Sequence, residues 1–327
     1  MNNHFFIVCS PLQLRIASII KKTYNREDNK FHILYLKANS RMNNGVRGNI
    51  IKEYDSYCIS GMDYGLFNFR SIMKFISKIN GMNLFVYFAN ANDLTIHYIL
   101  SNIKMNFIIR TFDDGILNIN TIENINQDLK EKNKIKHKLT RFFYKNVFSI
   151  KKIIDESEVH YTILDYNRNL NIKSRLVKIN LFDFYDKNES FQKTDVINIF
   201  IGSKFKDILR NENKEDFNLL MSKIKKISSK YANVIYLRHP RENLIESFSM
   251  LEKEVETISE DIIIDFINNG HSVNLIGFAS TCQLNLMKAN GVKITLLNTK
   301  LIRKDILESF SLFDNALECI VSDIDSW

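Results

Sequence analysis

A chain of 327 residues that is 45% hydrophobic and 25% charged has the composition of a soluble globular protein, with room for two domains that each bury a core. No stretch approaches the roughly 18 consecutive apolar residues of a membrane span, and the start, Met1-Asn2-Asn3-His4, lacks the features of a secretion signal. Cys9, Cys58, Cys282 and Cys319 are scattered without metal-ligand spacing, which argues against zinc and disulfides and for a reducing cytoplasm; the formal charge of +8 is concentrated in one segment and does not mark a nucleic-acid surface.

Strand-like and helical runs alternate from the first residues. Phe5–Cys9 is a continuous apolar run, as in a strand covered on both faces. Ser10-Pro11 then opens a helix, serine as N-cap and proline at the first position, with Leu12, Ile16, Ile19 and Ile20 inward. Phe31–Leu36, Leu84–Phe88 and Asn106–Thr111 repeat the strand pattern, which predicts a parallel, doubly wound sheet.

Between Lys130 and Lys152 nine basic residues stand against Glu131 alone, an excess as large as that of the whole chain. Ile135, Leu139, Phe142, Phe143 and Val147 recur there near helical spacing, so a basic amphipathic helix is expected over 124–152. A solvated face on a core-packed helix, attachment to anionic lipid and a homodimer contact all fit it.

The polar stretch Asp183–Thr194 is the linker candidate. Beyond it the alternation resumes: a strand at Val196–Ile201, a helix over Glu215–Tyr231 and a strand at Val234–Leu237. A helix over Asp261–Asn269 closed by Gly270, a strand at Val273–Gly277, a helix over Ser280–Ala289 and a strand at Val292–Leu297 follow.

The candidates for chemistry lie where strands end. His239-Pro240-Arg241 follows an apolar run and contains one of only two prolines in the chain. A titratable imidazole beside a permanent cation suits a substrate that carries phosphate and leaves with it; the plainer reading is a strand-ending turn. Gly202-Ser203 would let a phosphate approach the backbone, or is an ordinary turn. In Phe278-Ala279-Ser280-Thr281 the hydroxyls open a helix, as anion ligands or simply as an N-cap. Asp113-Asp114-Gly115 sets adjacent carboxylates at a sheet edge, where each raises the other's pKa as a general base requires, or is a capped turn.

Dinucleotide, P-loop and nucleophile-elbow glycine motifs are absent. Asp323-Ile324-Asp325 reads as a solvated tail rather than a metal site. His160 reads as a strand residue, and His4, His32, His97, His137 and His271 have no constellation around them.

In order along the chain, several segments carry a resemblance: Phe6–Cys9 with Gln13, Thr111–Gly115 with Asn118, His160–Ile163, Leu181-Phe182-Asp183, Gly202-Ser203, His239-Pro240-Arg241 and Phe278–Thr281. Together the chain resembles the bacterial sialyltransferases of glycosyltransferase family 52. The resemblance implies an α/β fold of GT-B type, two Rossmann-like domains facing each other across a cleft. Residues 1–190 would form the acceptor side and 191–327 the domain that binds the CMP-sugar donor. It implies CMP-sialic acid as donor, inversion, and no metal or other cofactor.

Carried over, His239 would bind or protonate the departing phosphate, Arg241 would add charge, and Ser280 and Thr281 would hold the phosphate. Gly202, Ser203, Pro240 and Phe278 would also lie on the donor side, and Gln13, Asp113, Asp114 and Gly115 on the acceptor side. Some members have Gly-Ser-Pro-Asp after the interdomain strand, with that aspartate as base; here the loop reads Gly202-Ser203-Lys204-Phe205. Asp114 and Asp113 are therefore the first candidates for the base and Asp207 the fallback.

The expected function is a cytoplasmic or membrane-peripheral sialyltransferase that caps galactose on a bacterial lipooligosaccharide or capsular glycan. A transferase for another CMP-activated sugar, Kdo or a related nonulosonic acid, is the near alternative. A non-enzymatic lipid- or nucleic-acid-binding protein is the distant one.

Overall fold

The structure, a computed structural model, describes residues 1–37, 51–61, 66–81, 83–89, 91, 93–113, 147–163, 175–181, 196–239, 242, 248, 250–253 and 258–327. These fall into two compact units, one ending at Leu181 and one beginning at Val196. The expected boundary at 190/191 and the linker candidate lie outside the described residues.

The first unit holds seven strands: β1 (Asn2–Val8), β2 (Asn29–Lys37), β3 (Ser56–Gly61), β4 (Asn83–Phe88), β5 (Phe107–Phe112), β6 (Ser157–Thr162) and β7 (Arg175–Lys178). They pair in parallel in the order β3-β2-β1-β4-β5-β6-β7. Central β1 is buried on both faces from Asn3 to Val8, as a strand inside a parallel sheet is expected to be. Fully burying a Phe, Ile or Val such as Phe5, Ile7 or Val8 contributes about 1.5–3 kcal/mol each, and this continuous apolar run is what the sequence displays.

The second unit repeats the plan with β8 (Val196–Ile201), β9 (Ile235–Leu237), β10 (Leu251–Lys253), β11 (Ser272–Gly277), β12 (Val292–Asn298) and β13 (Cys319–Asp323). All pair in parallel, in the order β10-β9-β8-β11-β12-β13. In each sheet the winding reverses direction at one pair of neighbours, β1/β4 in the first and β8/β11 in the second. The carboxyl ends of such a pair are where open α/β sheets bind ligands.

Several local expectations change. The helix Pro11–Thr23 buries Gln13, Ile16, Ala17 and Ile20, with Leu14 beside them, while Leu12 and Ile19 are only half-buried. The helix expected over 215–231 breaks at Lys226 into Lys214–Lys225 and Ile227–Lys230. The basic helix does not run through to Lys152: Ser149, extended and accepting the Lys152 amide, caps a new helix, Ile150–Glu156, and residues 124–146 lie outside the described residues. The expected solvated tail is instead edge strand β13 followed by a turn of 3-10 helix. There Asp325 accepts the Thr299 hydroxyl at 2.6 Å and the Lys300 amide at 2.9 Å. Among the described residues no helix is long and apolar enough to cross a membrane.

Candidate active site

In the second unit three candidate loops leave the carboxyl ends of adjacent strands: His239 after β9, Gly202-Ser203 after β8, and Phe278–Thr281 after β11. The first two are stitched together by backbone. The Gly202 amide donates to the Leu237 carbonyl at 2.8 Å, and the Glu242 amide to the His239 carbonyl at 2.9 Å. A β-carbon on Gly202 would stand 2.7 Å from the His239 amide nitrogen and 2.9 Å from the Leu237 carbonyl oxygen, so only glycine admits this approach. His239 and Ser203 are half-buried at the seam; Pro240 and Arg241 lie outside the described residues.

The third loop is held from within. Ala279 takes a left-handed conformation, φ 53°, which a side chain other than glycine's resists. Ser280 caps the helix Thr281–Leu286 and closes a capping box with Gln283: its hydroxyl accepts the Gln283 amide at 3.2 Å, and Gln283 Oε1 accepts the Ser280 amide at 3.0 Å. Gln283, fully buried, also donates from Nε2 to the carbonyls of Leu275 and Thr295. The N-cap reading of Ser280 is thus correct, and with one lone pair taken by the Gln283 amide the hydroxyl has its proton to offer an anion. The Phe278 ring, 3% exposed, packs into the core with Phe200 and Ile276, so this residue has backbone alone to offer a donor.

Phe205 has left the site for the same core. It is fully buried, stacked near Phe200 and edge-on to Phe248. Asp207, the fallback base, is exposed on the short helix Phe205–Ile208 and paired with Lys204.

In the first unit Asp113 directly follows β5 and is fully buried. Its Oδ1 lies 2.8 Å from His160 Nε2, while Oδ2 accepts the Thr162 hydroxyl at 2.8 Å and the Ile163 amide at 2.7 Å. The carboxylate makes His160 the donor at Nε2, and Nδ1 on the other side of the ring lies 2.9 Å from the Thr111 hydroxyl. With both oxygens engaged, Asp113 locks the end of β5 to β6. Asp114 and Gly115 follow directly, outside the described residues. His160 is a strand residue, as read, and also holds the Asp113 carboxylate; a strand that mixes Ser157, Glu158 and Thr162 with Val159 and Tyr161 gave no sign of that partner.

Gln13 also works internally. It sits on the buried face of its helix, and its Oε1 accepts the Cys9 amide at 2.8 Å, fixing the loop at the end of β1. Ser10 accepts the Gln13 amide, so Ser10/Gln13 and Ser280/Gln283 hold the first turns of two helices alike, each beside a point where its sheet reverses.

His4 does have a constellation. Its Nδ1 lies 2.8 Å from the Tyr87 hydroxyl and its ring packs among Tyr24, Phe31 and Phe85. Burial, with Arg110 and His32 nearby, pushes the imidazole down to about 4. Arg110 lies over the Phe85 ring at 4.1 Å and donates to Glu158 and Tyr87.

Residues 27–301 match the profile described as Glycosyltransferase family 52. The chain belongs to glycosyltransferase family 52. This family 52 enzyme is 27% identical over 306 residues to an N-acetyllactosaminide alpha-2,3-sialyltransferase of Haemophilus influenzae, covering 92% of this chain and 93% of that protein. It is 29% identical over 231 residues to a CMP-N-acetylneuraminate:beta-galactoside alpha-2,3-sialyltransferase of Pasteurella multocida, covering 70% and 69%. The solved GT-B domain of a Photobacterium damselae sialyltransferase matches with a TM-score of 0.52 at 11% identity, covering 98% of this chain and all of that one, a likeness of fold alone. The glycosyltransferase thus has the GT-B type of fold, two parallel-sheet α/β domains.

Proposed function

We propose that this glycosyltransferase moves sialic acid from CMP-sialic acid to a terminal galactose of a bacterial lipooligosaccharide or capsular glycan, in α-2,3 linkage, with inversion and without a metal. The observation that carries the reading is the convergence of the His239, Gly202-Ser203 and Ser280 loops on three adjacent strand ends at the reversal point of the second sheet. The names of the two bacterial relatives support the donor, the acceptor and the linkage.

In this reading the second unit takes the CMP phosphate. The backbone amide of Ser203, the proton of the Ser280 hydroxyl, Thr281, and the side chains of His239 and Arg241 stabilise it, with Gly202 allowing the close approach of the loops. Asp114 removes the proton from the galactose hydroxyl as that oxygen attacks the anomeric carbon; Asp113, immobilised by His160, Thr162 and the Ile163 amide, immediately precedes Asp114 in the chain. The bond from the anomeric carbon to phosphate oxygen breaks, its electron pair stays on CMP, and His239 meets the developing charge. Protein cations and amides neutralise the leaving group, so the chemistry asks for no divalent ion. The basic segment 124–152 is read as the contact with anionic lipid at the inner face of the membrane, on its charge alone.

The test is turnover across CMP-sialic acid, CMP-Kdo and UDP-sugars with a β-galactoside, with and without EDTA. Turnover of CMP-sialic acid alone, undiminished by EDTA, is expected. Preference for CMP-Kdo or strict dependence on magnesium would overturn the corresponding part of the reading.

A further inference from the structure

We propose that Glu242 is a positioning residue that holds the two donor loops in register, acting through the backbone amide of Phe205 and not by touching the donor; the inference rests on the donor site described above. Glu242 is 8% exposed, and a buried carboxylate persists only where its charge is met. Its Oε2 accepts the Phe205 amide at 3.0 Å, a bond between residues 37 apart.

That amide is the first of the helix Phe205–Ile208, and the residue in the N-cap position, Lys204, makes no side-chain cap bond. The cap comes instead from the neighbouring loop, with a negative charge where a helix start favours one. Glu242 is itself anchored, its amide donating to the His239 carbonyl at 2.9 Å. One residue thereby ties the loop of Gly202 and Ser203 to the turn of His239, and the Gly202 amide on the Leu237 carbonyl adds a second tie on the other side of the seam.

A carboxylate facing a phosphate would repel it. With its charge directed into the Phe205 amide, Glu242 shapes an anion site without entering it. It stands immediately after His239-Pro240-Arg241, and its partner lies 37 residues earlier on the loop of the neighbouring strand, so local spacing does not announce it.

The experiment compares the wild-type enzyme with Glu242→Ala, Glu242→Asp and Glu242→Gln, reading the Kd for CMP by calorimetry and the KM values for donor and galactoside well below each variant's Tm. Glu242→Ala is expected to raise the CMP Kd and donor KM about 10-fold with the galactoside KM within 2-fold. Glu242→Gln, which keeps an acceptor oxygen, is expected to recover most of that loss, and Glu242→Asp, one carbon short, to lose about 3-fold. If Glu242→Ala does not fold, the aspartate and glutamine variants decide. CMP affinity equal to wild type in Glu242→Asp and Glu242→Ala, or equal losses for donor and galactoside, overturns the proposal. Wild-type enzyme that binds no CMP would overturn instead the donor-site reading on which it rests.

Discussion

Gly202→Ala probes the seam between the donor loops with a single methyl group. The added β-carbon would lie 2.7 Å from the His239 nitrogen and 2.9 Å from the Leu237 oxygen, against 3.4 Å for ordinary contact. Both obstacles are backbone, so no side chain can swing aside. The His239 turn and the Gly202 loop must part by about 0.7 Å, and overpacking of this kind costs about 1–3 kcal/mol. A displacement near 1 Å in a site that depends on positioning costs on the order of 100-fold in rate. We therefore expect the Tm to fall by several degrees, the CMP Kd to rise at least 10-fold and kcat/KM for the donor to fall by roughly 100-fold. Gly270→Ala is the control: Gly270 has φ 84° with nothing within 4 Å of an added carbon, so it should lose about 1 kcal/mol of stability and no CMP affinity. Calorimetric titration with CMP reads both. A Gly202→Ala enzyme with wild-type CMP affinity and Tm would refute the reasoning that close approach of these loops builds the site.

Asp113→Asn must turn an amide NH2 toward a donor on one side or the other, at about 2–4 kcal/mol, and should lower the Tm markedly; Asp114→Asn should leave the Tm within about a degree and cut kcat at least 100-fold. Retained kcat in Asp114→Asn with loss in Asp207→Asn would move the base to the helix Phe205–Ile208. His239→Ala should cut transfer by ~100-fold without unfolding the protein; near-normal kcat with a changed Tm would make it structural. His4 titrates at about 4 when folded and near 6.5 when unfolded, so the unfolded chain takes up the proton first as pH falls. Its contribution is intact above pH 6.5 and is lost on the way down to pH 4, about 3 kcal/mol in all, and His4→Gln should flatten that part of the stability profile measured by urea unfolding. An unchanged acid slope in His4→Gln would contradict it.

The buried strands were legible because a strand covered on both faces is mostly apolar: β1 carries Phe5–Val8 unbroken, β8 and β11 are interrupted only by Asn198 and Asn274, and β12 by Lys293 and Thr295. The edge strands were not. Leu251–Lys253 is exposed at every residue, and Cys319–Asp323 mixes apolar with polar, so neither carries a burial signal. The strand-end loops could be found from proline, glycine and serine punctuation, and Ser10 and Ser280 both proved to be caps. What local sequence could not give was the distant partner of each polar group. Asp113 reads as a paired acid until Thr162 and Ile163, 49 and 50 residues on, take its Oδ2, and Phe205 reads as a lost carboxylate until Phe248 shows it to be core. Glu242 and Gln283 acquire meaning only through Phe205, Leu275 and Thr295.

The most direct measurement is a proton NMR time course of purified enzyme with CMP-sialic acid and lactose, following the sialic acid C3 protons. The account predicts one new signal set, from sialic acid of inverted anomeric configuration joined to galactose O3, growing in step with free CMP. A product that retains the donor's configuration, or no sialoside from folded enzyme that turns over another sugar donor, would contradict it.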